Sequence, residues 1–117
     1  MSRDDRQRLD DIIDACDVIA GHLGRGDLSD GLVFDAVRMR LVEIGEAVKS
    51  IDADLLASEP DIPWSEVARM RDLLTHRYFD TLHSIVEHTA KYDLVELRAA
   101  VIRMTARLPD GAQPGDA

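Results

Sequence analysis

An all-α bundle of four or five helices is the fold this sequence predicts, and three observations predict it. Apolar residues recur at three- and four-residue steps along most of the chain, the period of amphipathic helices. No stretch alternates apolar with polar residues as a half-buried strand does. Gly and Pro gather at a few points that separate the periodic segments. The 117 residues fit one domain, since about 100–150 residues bury a core without disulfides. With 45% hydrophobic and 32% charged residues the composition is globular rather than disordered.

The first helix is predicted over 3–23, with Leu9, Ile12, Ile13, Cys16, Ile19, Ala20 and Leu23 as its stripe and Gly24 as its stop. The second runs from a cap at Ser29 or Asp30 to about 50, with Phe34, Val37, Leu41, Ile44, Val48 and Ile51 on its stripe. Val33 and Val42 widen that stripe, so burial on more than one side is expected. Gly45 lies on it too. Glycine inside a helix costs about 1 kcal/mol against Ala, so its place there predicts a close helix approach. A short turn is expected at 54–57. A third helix begins at Pro63, where proline is tolerated in a first turn, with Trp64, Val67, Leu74 and Tyr78 on one face and Met70 and Leu73 beside it. Two more helices are predicted, about 82–91 and 93–108, the last carrying Leu94, Leu97, Val101, Met104 and Leu108. The helical domain is thus 1–108, and the polar segment 109–117 is predicted to be a disordered tail.

Cys16 is the single cysteine and falls on the first stripe, where a buried thiol is expected. The charged start has no apolar run behind it, and no stretch approaches the ~18 apolar residues of a membrane helix. A cytoplasmic protein without membrane contact is expected. Net charge is −9, from 23 acidic and 14 basic residues. Nucleic-acid affinity rests largely on phosphate neutralisation, so binding to long duplexes is disfavoured unless basic residues cluster. An acidic face for a basic protein partner is the other reading.

Chemistry is concentrated between Arg71 and Tyr78. Arg71 occupies a place on an apolar stripe, which suggests a snorkelling side chain or half of an ion pair. Glu43 and Glu46 on the second helix are the candidate carboxylates. Tyr78 follows Arg71 by two helical turns and shares its face if the helix continues. His76 falls roughly 140° away, so the two share a site only if the helix ends near His76, or if the site opens at a helix edge or a subunit seam. Asp72, four before His76, is placed to hydrogen-bond the imidazole and fix its tautomer. His22, His83 and His88 show no metal-ligand spacing, and neither a Gly-rich phosphate loop nor a G-x-S-x-G nucleophile motif occurs. No metal and no cofactor are expected.

Arg71, His76 and Tyr78 together form an R-x4-H-x-Y pattern that resembles the signature of the HepT toxins, helical ribonucleases of the HEPN superfamily. The likeness extends over about 5–108. Ile44, Gly45, Glu46 and Ala47 resemble the I-G-E-A segment of that family's second helix. Trp64, then Met70, Arg71, Asp72, Leu74, Thr75 and His76, resemble its W…M-R-[ND]-x-L-x-H stretch. Tyr78, Phe79 and Asp80 match the Y-F-D that follows, and Asp93, Leu94 and Leu97 resemble its final helix. Arg77 departs from the small residue of many relatives and adds positive charge beside His76.

The resemblance implies a metal-independent RNA endonuclease acting as a homodimer, with Arg71 and His76 catalytic. Asp72, Thr75, Arg77 and Glu46 would support them. It further implies the toxin of a type VII toxin–antitoxin system, silenced when an MntA-like nucleotidyltransferase antitoxin transfers AMP to Tyr78. The alternative is a non-catalytic HEPN module that docks a nucleotidyltransferase or a nucleotide.

Overall fold

The computed structural model describes residues 3–75 and 79–109. All regular structure among them is helical: α1 (Arg3–Arg25), α2 (Gly31–Lys49), α3 (Ala53–Ala57), α4 (Trp64–Leu74), α5 (Phe79–His88), a π-helical turn (Thr89–Asp93) and α6 (Leu94–Arg107). The segment 110–117, expected to be a disordered tail, lies outside the described residues.

α1 carries Asp4 and Asp5 in its first turn and His22 and Arg25 in its last, the charge order that complements the helix dipole. Leu9, Ile12, Cys16 and Ile19 are buried as the stripe predicts, but Ala20 is exposed and Ala15 takes the core position instead. Burial pushes the Cys16 thiol up to about 11, with the Asp17 carboxylate adding to the effect. The helix runs two residues past its expected end at 23, through Gly24 to Arg25.

α2 is the central element and packs on both α1 and α4. Asp30 rather than Ser29 caps it, its side chain accepting from the Leu32 amide at 2.8 Å. Ser29 is instead engaged with Asp27. All six stripe residues, from Phe34 to Ile51, are buried. Val33 and Val42 are half-buried, so the helix meets neighbours over more than its main stripe.

Gly45 explains how α2 and α4 approach. A Cβ placed on it would lie 3.0 Å from both the Val67 carbonyl oxygen and the Arg71 amide nitrogen. Two backbones touch there, and neither can yield as a flexible side chain would. On α4, Met70 and Leu74 are buried, Trp64 and Val67 are half-buried, and Leu73 is exposed. Met70 therefore belongs to the core face rather than beside it. α4 ends at Leu74, and Tyr78, expected on the same face, lies outside the described residues.

The two final helices expected from the sequence are one continuous helix with a π turn in it. A new helix was expected to start at Asp93, but Asp93 has a helical backbone and its side chain caps nothing. Its carboxylate lies 3.4 Å from His88 Nδ1 instead. The Leu94 amide bonds to the Thr89 carbonyl, an i→i+5 step. That step admits one extra residue into the turn. Leu82, Val86, Ala90 and Leu94, spaced by four, all stay on the core face as a result.

A cluster of charges fastens the loop before α4 to the end of α6. Glu59 is buried, and its carboxylate meets Arg103 and Arg107, each at 2.7 Å. Its backbone carbonyl accepts from Trp64 Nε1 at 3.0 Å. Arg107 also donates to Ser58 Oγ. Chiefly through the hydrogen bonds from Arg103, and then those from Arg107, the Glu59 carboxyl is held down at about 2.

Gly45→Ala should lower stability by about 1–3 kcal/mol, the usual range for overpacking, although alanine is the better helix former. Thermal denaturation checks this, and an unchanged or raised Tm would show that the helices can separate freely. Glu59 stabilises the fold while ionised. That contribution is complete above its ordinary value of 4.5 and disappears as pH falls from there to about 2. Thermal melts across this window should fall less steeply for Glu59→Gln than for the parent chain, and the variant should already melt lower at neutral pH.

Candidate active site

The last turn of α4 holds the residues that the sequence singled out. Arg71 lies there with its backbone against Gly45. Because that contact is flush, the side chain cannot enter the core and turns outward instead. Its Nε lies 2.7 Å from Glu46 Oε2 in an ion pair, and its Nη1 donates to Asp72 Oδ1 at 3.2 Å. Glu46 is thus the ion-pair partner, while Glu43 pairs with Arg40 along α2 at 3.1 Å.

The Arg71 side chain keeps 44% exposure and that of Glu46 58%. Exposed pairs of this kind contribute less than about 1 kcal/mol to stability. The pair acts mainly on geometry. Consecutive residues of α2 hold Arg71 at two points, Gly45 at the backbone and Glu46 at the guanidinium.

Thr75 follows α4 as its C-cap residue, with its hydroxyl donating to the Asp72 carbonyl at 2.9 Å. The helix therefore ends immediately before His76, one of the conditions under which Arg71 and His76 can share a site. His76, Arg77 and Tyr78 themselves lie outside the described residues. So does the expected Asp72–His76 hydrogen bond. The Asp72 carboxylate oxygen Oδ1 accepts from Arg71.

Sequence reasoning missed Arg38. It reaches from α2 to the Leu74 carbonyl at 2.8 Å, placing a guanidinium on the C-terminal end of α4. Both hydrogen bond and dipole favour a cation there. Its signal in the sequence is faint, since a backbone carbonyl partner leaves no trace in the residue pattern.

Two concave surfaces flank these residues. Glu46 lines a groove of about 480 Å³ between α1 and α2 with Asp11, Asp14, Glu43, Arg8 and Arg40. Carboxylates outnumber arginines there, which disfavours a phosphate backbone. A cleft of about 460 Å³ lies between α4 and the π turn, floored by Val67, Met70, Ile85 and Leu97. Among the described residues, no three His, Cys, Asp or Glu side chains are grouped to hold a metal. No helix among them is long and apolar enough to cross a membrane.

A profile described as Ribonuclease HepT-like matches residues 9–104, which include α2, Arg71 and the R-x4-H-x-Y pattern. The chain belongs to the HepT-like ribonuclease family. Its relatives include a protein of Methanocaldococcus jannaschii named as a putative RNase, 35% identical over 82% of this chain and 83% of its own. Another is a probable ribonuclease HepT of Thermococcus cleftensis, 33% identical over 84% of this chain and 93% of its own. No solved structure matches the chain significantly. In this HepT-like chain, the matched region includes the point where α4 lies flush on α2.

Proposed function

We propose that this chain is a metal-independent RNA endonuclease with Arg71 and His76 as its catalytic pair. The observation that carries the reading is the anchoring of Arg71 in a HepT-like chain. Its backbone is fixed by Gly45, its Nε by Glu46, and its guanidinium remains half exposed at the helix end that leads into His76.

The chemistry asks little beyond charge and proton transfer. RNA supplies its own nucleophile. The 2′-oxygen attacks the adjacent phosphorus as its proton leaves, and the bond to the 5′-oxygen breaks as that oxygen gains a proton. A 2′,3′-cyclic phosphate and a free 5′-hydroxyl result. His76 serves as base or acid, an effect worth about 10²–10⁴-fold. Arg71 offers a planar fork to the non-bridging oxygens as charge builds on phosphorus. Thr75 and Arg77 add contacts to phosphate or ribose.

A homodimer fits the charge problem. Two copies of Arg71, His76 and Arg77 in one cleft make a positive site on a body of net charge −9. RNA then approaches from the side away from the acidic α1–α2 groove. In the same reading the chain is the toxin of a toxin–antitoxin pair. An MntA-like nucleotidyltransferase silences it by moving AMP from ATP onto the Tyr78 hydroxyl, with loss of pyrophosphate. The adenylate would fill the cleft and repel phosphate. One observation favours the alternative, a non-catalytic module docking a nucleotidyltransferase or a nucleotide: Arg71 Nε and Nη1 already meet carboxylates.

Purified protein should degrade RNA in EDTA. Arg71→Ala and His76→Ala should each reduce cleavage at least about 10²-fold, with Arg71→Ala costing less than about 1 kcal/mol of stability. Cleavage that survives both changes would remove these residues from the site, and a wild-type chain that leaves RNA intact favours the docking module. With the partner transferase, ATP and magnesium, the intact mass should rise by whole adenylate units. The same rise in Tyr78→Phe would rule out Tyr78 as the acceptor.

A further inference from the structure

A single turn of α2 contacts the described residues on either side of the segment that joins α4 to α5. Ahead of it, Arg38 donates to the Leu74 carbonyl at 2.8 Å. Beyond it, the His83 ring stacks on Phe34, centroids 5.2 Å apart and planes within 3° of parallel. His83 Nε2 also lies 3.2 Å from the Leu28 carbonyl, just before α2. Phe34 and Arg38 are four residues apart and so lie on one face of α2.

Phe34 is a core residue, and its stack on His83 joins α5 to α2. Arg38 is only half-buried, and it spends a charged donor on one backbone carbonyl. Such a contact contributes most where the position of a chain end matters.

We propose that Arg38 is a positioning residue for the ribonuclease site. With Phe34 one turn earlier, it fixes the two ends of the segment 75–82 that carries His76 and Tyr78. The inference rests on the ribonuclease reading. Arg38 does not touch the reacting atoms. It sets where α4 stops, and so the distance from the anchored Arg71 to the residues that follow. Reacting groups displaced by about 1 Å lose on the order of 10²-fold in rate.

The test compares Arg38→Gln and Arg38→Lys on a fluorescent RNA oligonucleotide. Arg38→Gln should lose about tenfold or more in kcat, with KM within about twofold of the parent. Arg38→Lys, whose ammonium still reaches a carbonyl, should recover most of that loss. Arg98→Gln, which breaks the distant Arg98–Asp17 pair, should change neither constant. A rise in KM at constant kcat would make Arg38 a direct RNA contact and overturn the proposal. A lower Tm with unchanged constants would make it merely structural and overturn it as well.

Hydrogen exchange gives a readout independent of activity. Amides of 75–82 should exchange faster in Arg38→Gln but not in Arg98→Gln. If the parent chain leaves RNA intact, the ribonuclease reading fails by itself. Exchange that is the same in Arg38→Gln and the parent would then separately overturn the bracket.

Discussion

Where Gly45 faces Arg71, two helices meet with no side chain between their backbones. Close packing of this kind leaves neither helix free to slide or roll without opening a gap or a clash. α2 also packs on α1, and α1 on α6. The position of α4 is thus transmitted through α2 to the whole bundle. It also determines Arg71 directly, because a residue whose Cα is pressed against a neighbouring helix has few directions left for its side chain. The glycine is at once a packing device and the reason a guanidinium emerges where it does.

Around that point the chain arranges opposing charges at short range. Arg71 sits between Glu46 and Asp72, and Arg38 sits on the end of a helix dipole. The surface pairs have small effects on stability. What they control is the orientation of the guanidinium groups. The buried Glu59 is different. It receives two arginines from α6 and ties a loop to the helix farthest along the chain. One set of ion pairs orients exposed side chains, and the other holds the scaffold.

Much of this was readable from residue order. The stripes of α2 and α6 stand out because apolar periodicity is strong there, and every residue assigned to them is buried. Gly45 and the Glu46–Arg71 pair were legible for a related reason: a glycine and an arginine on apolar stripes both demand an explanation. Arg38 made no such demand, since its position is polar and its partner is a backbone atom. Glu59 lies in a loop, and its partners are 44 and 48 positions away, beyond any local pattern. A separate helix was expected from Asp93 because an aspartate before an apolar run is the usual mark of a helix start. Nothing in its immediate neighbours distinguishes a cap from a side chain turned back toward His88.

The π turn has a bearing on how such a chain tolerates change in length. A helix with a single i→i+5 step has in effect absorbed one residue without shifting anything on either side of it. Upstream, Leu82 and Val86 keep their places. Downstream, Leu97, Val101 and Met104 keep theirs. The turn thus works like an expansion joint. It lets the half of the helix nearest the Arg71 region and the half that closes the bundle follow separate registers, so that a gain or loss of one residue at this point can be taken up locally.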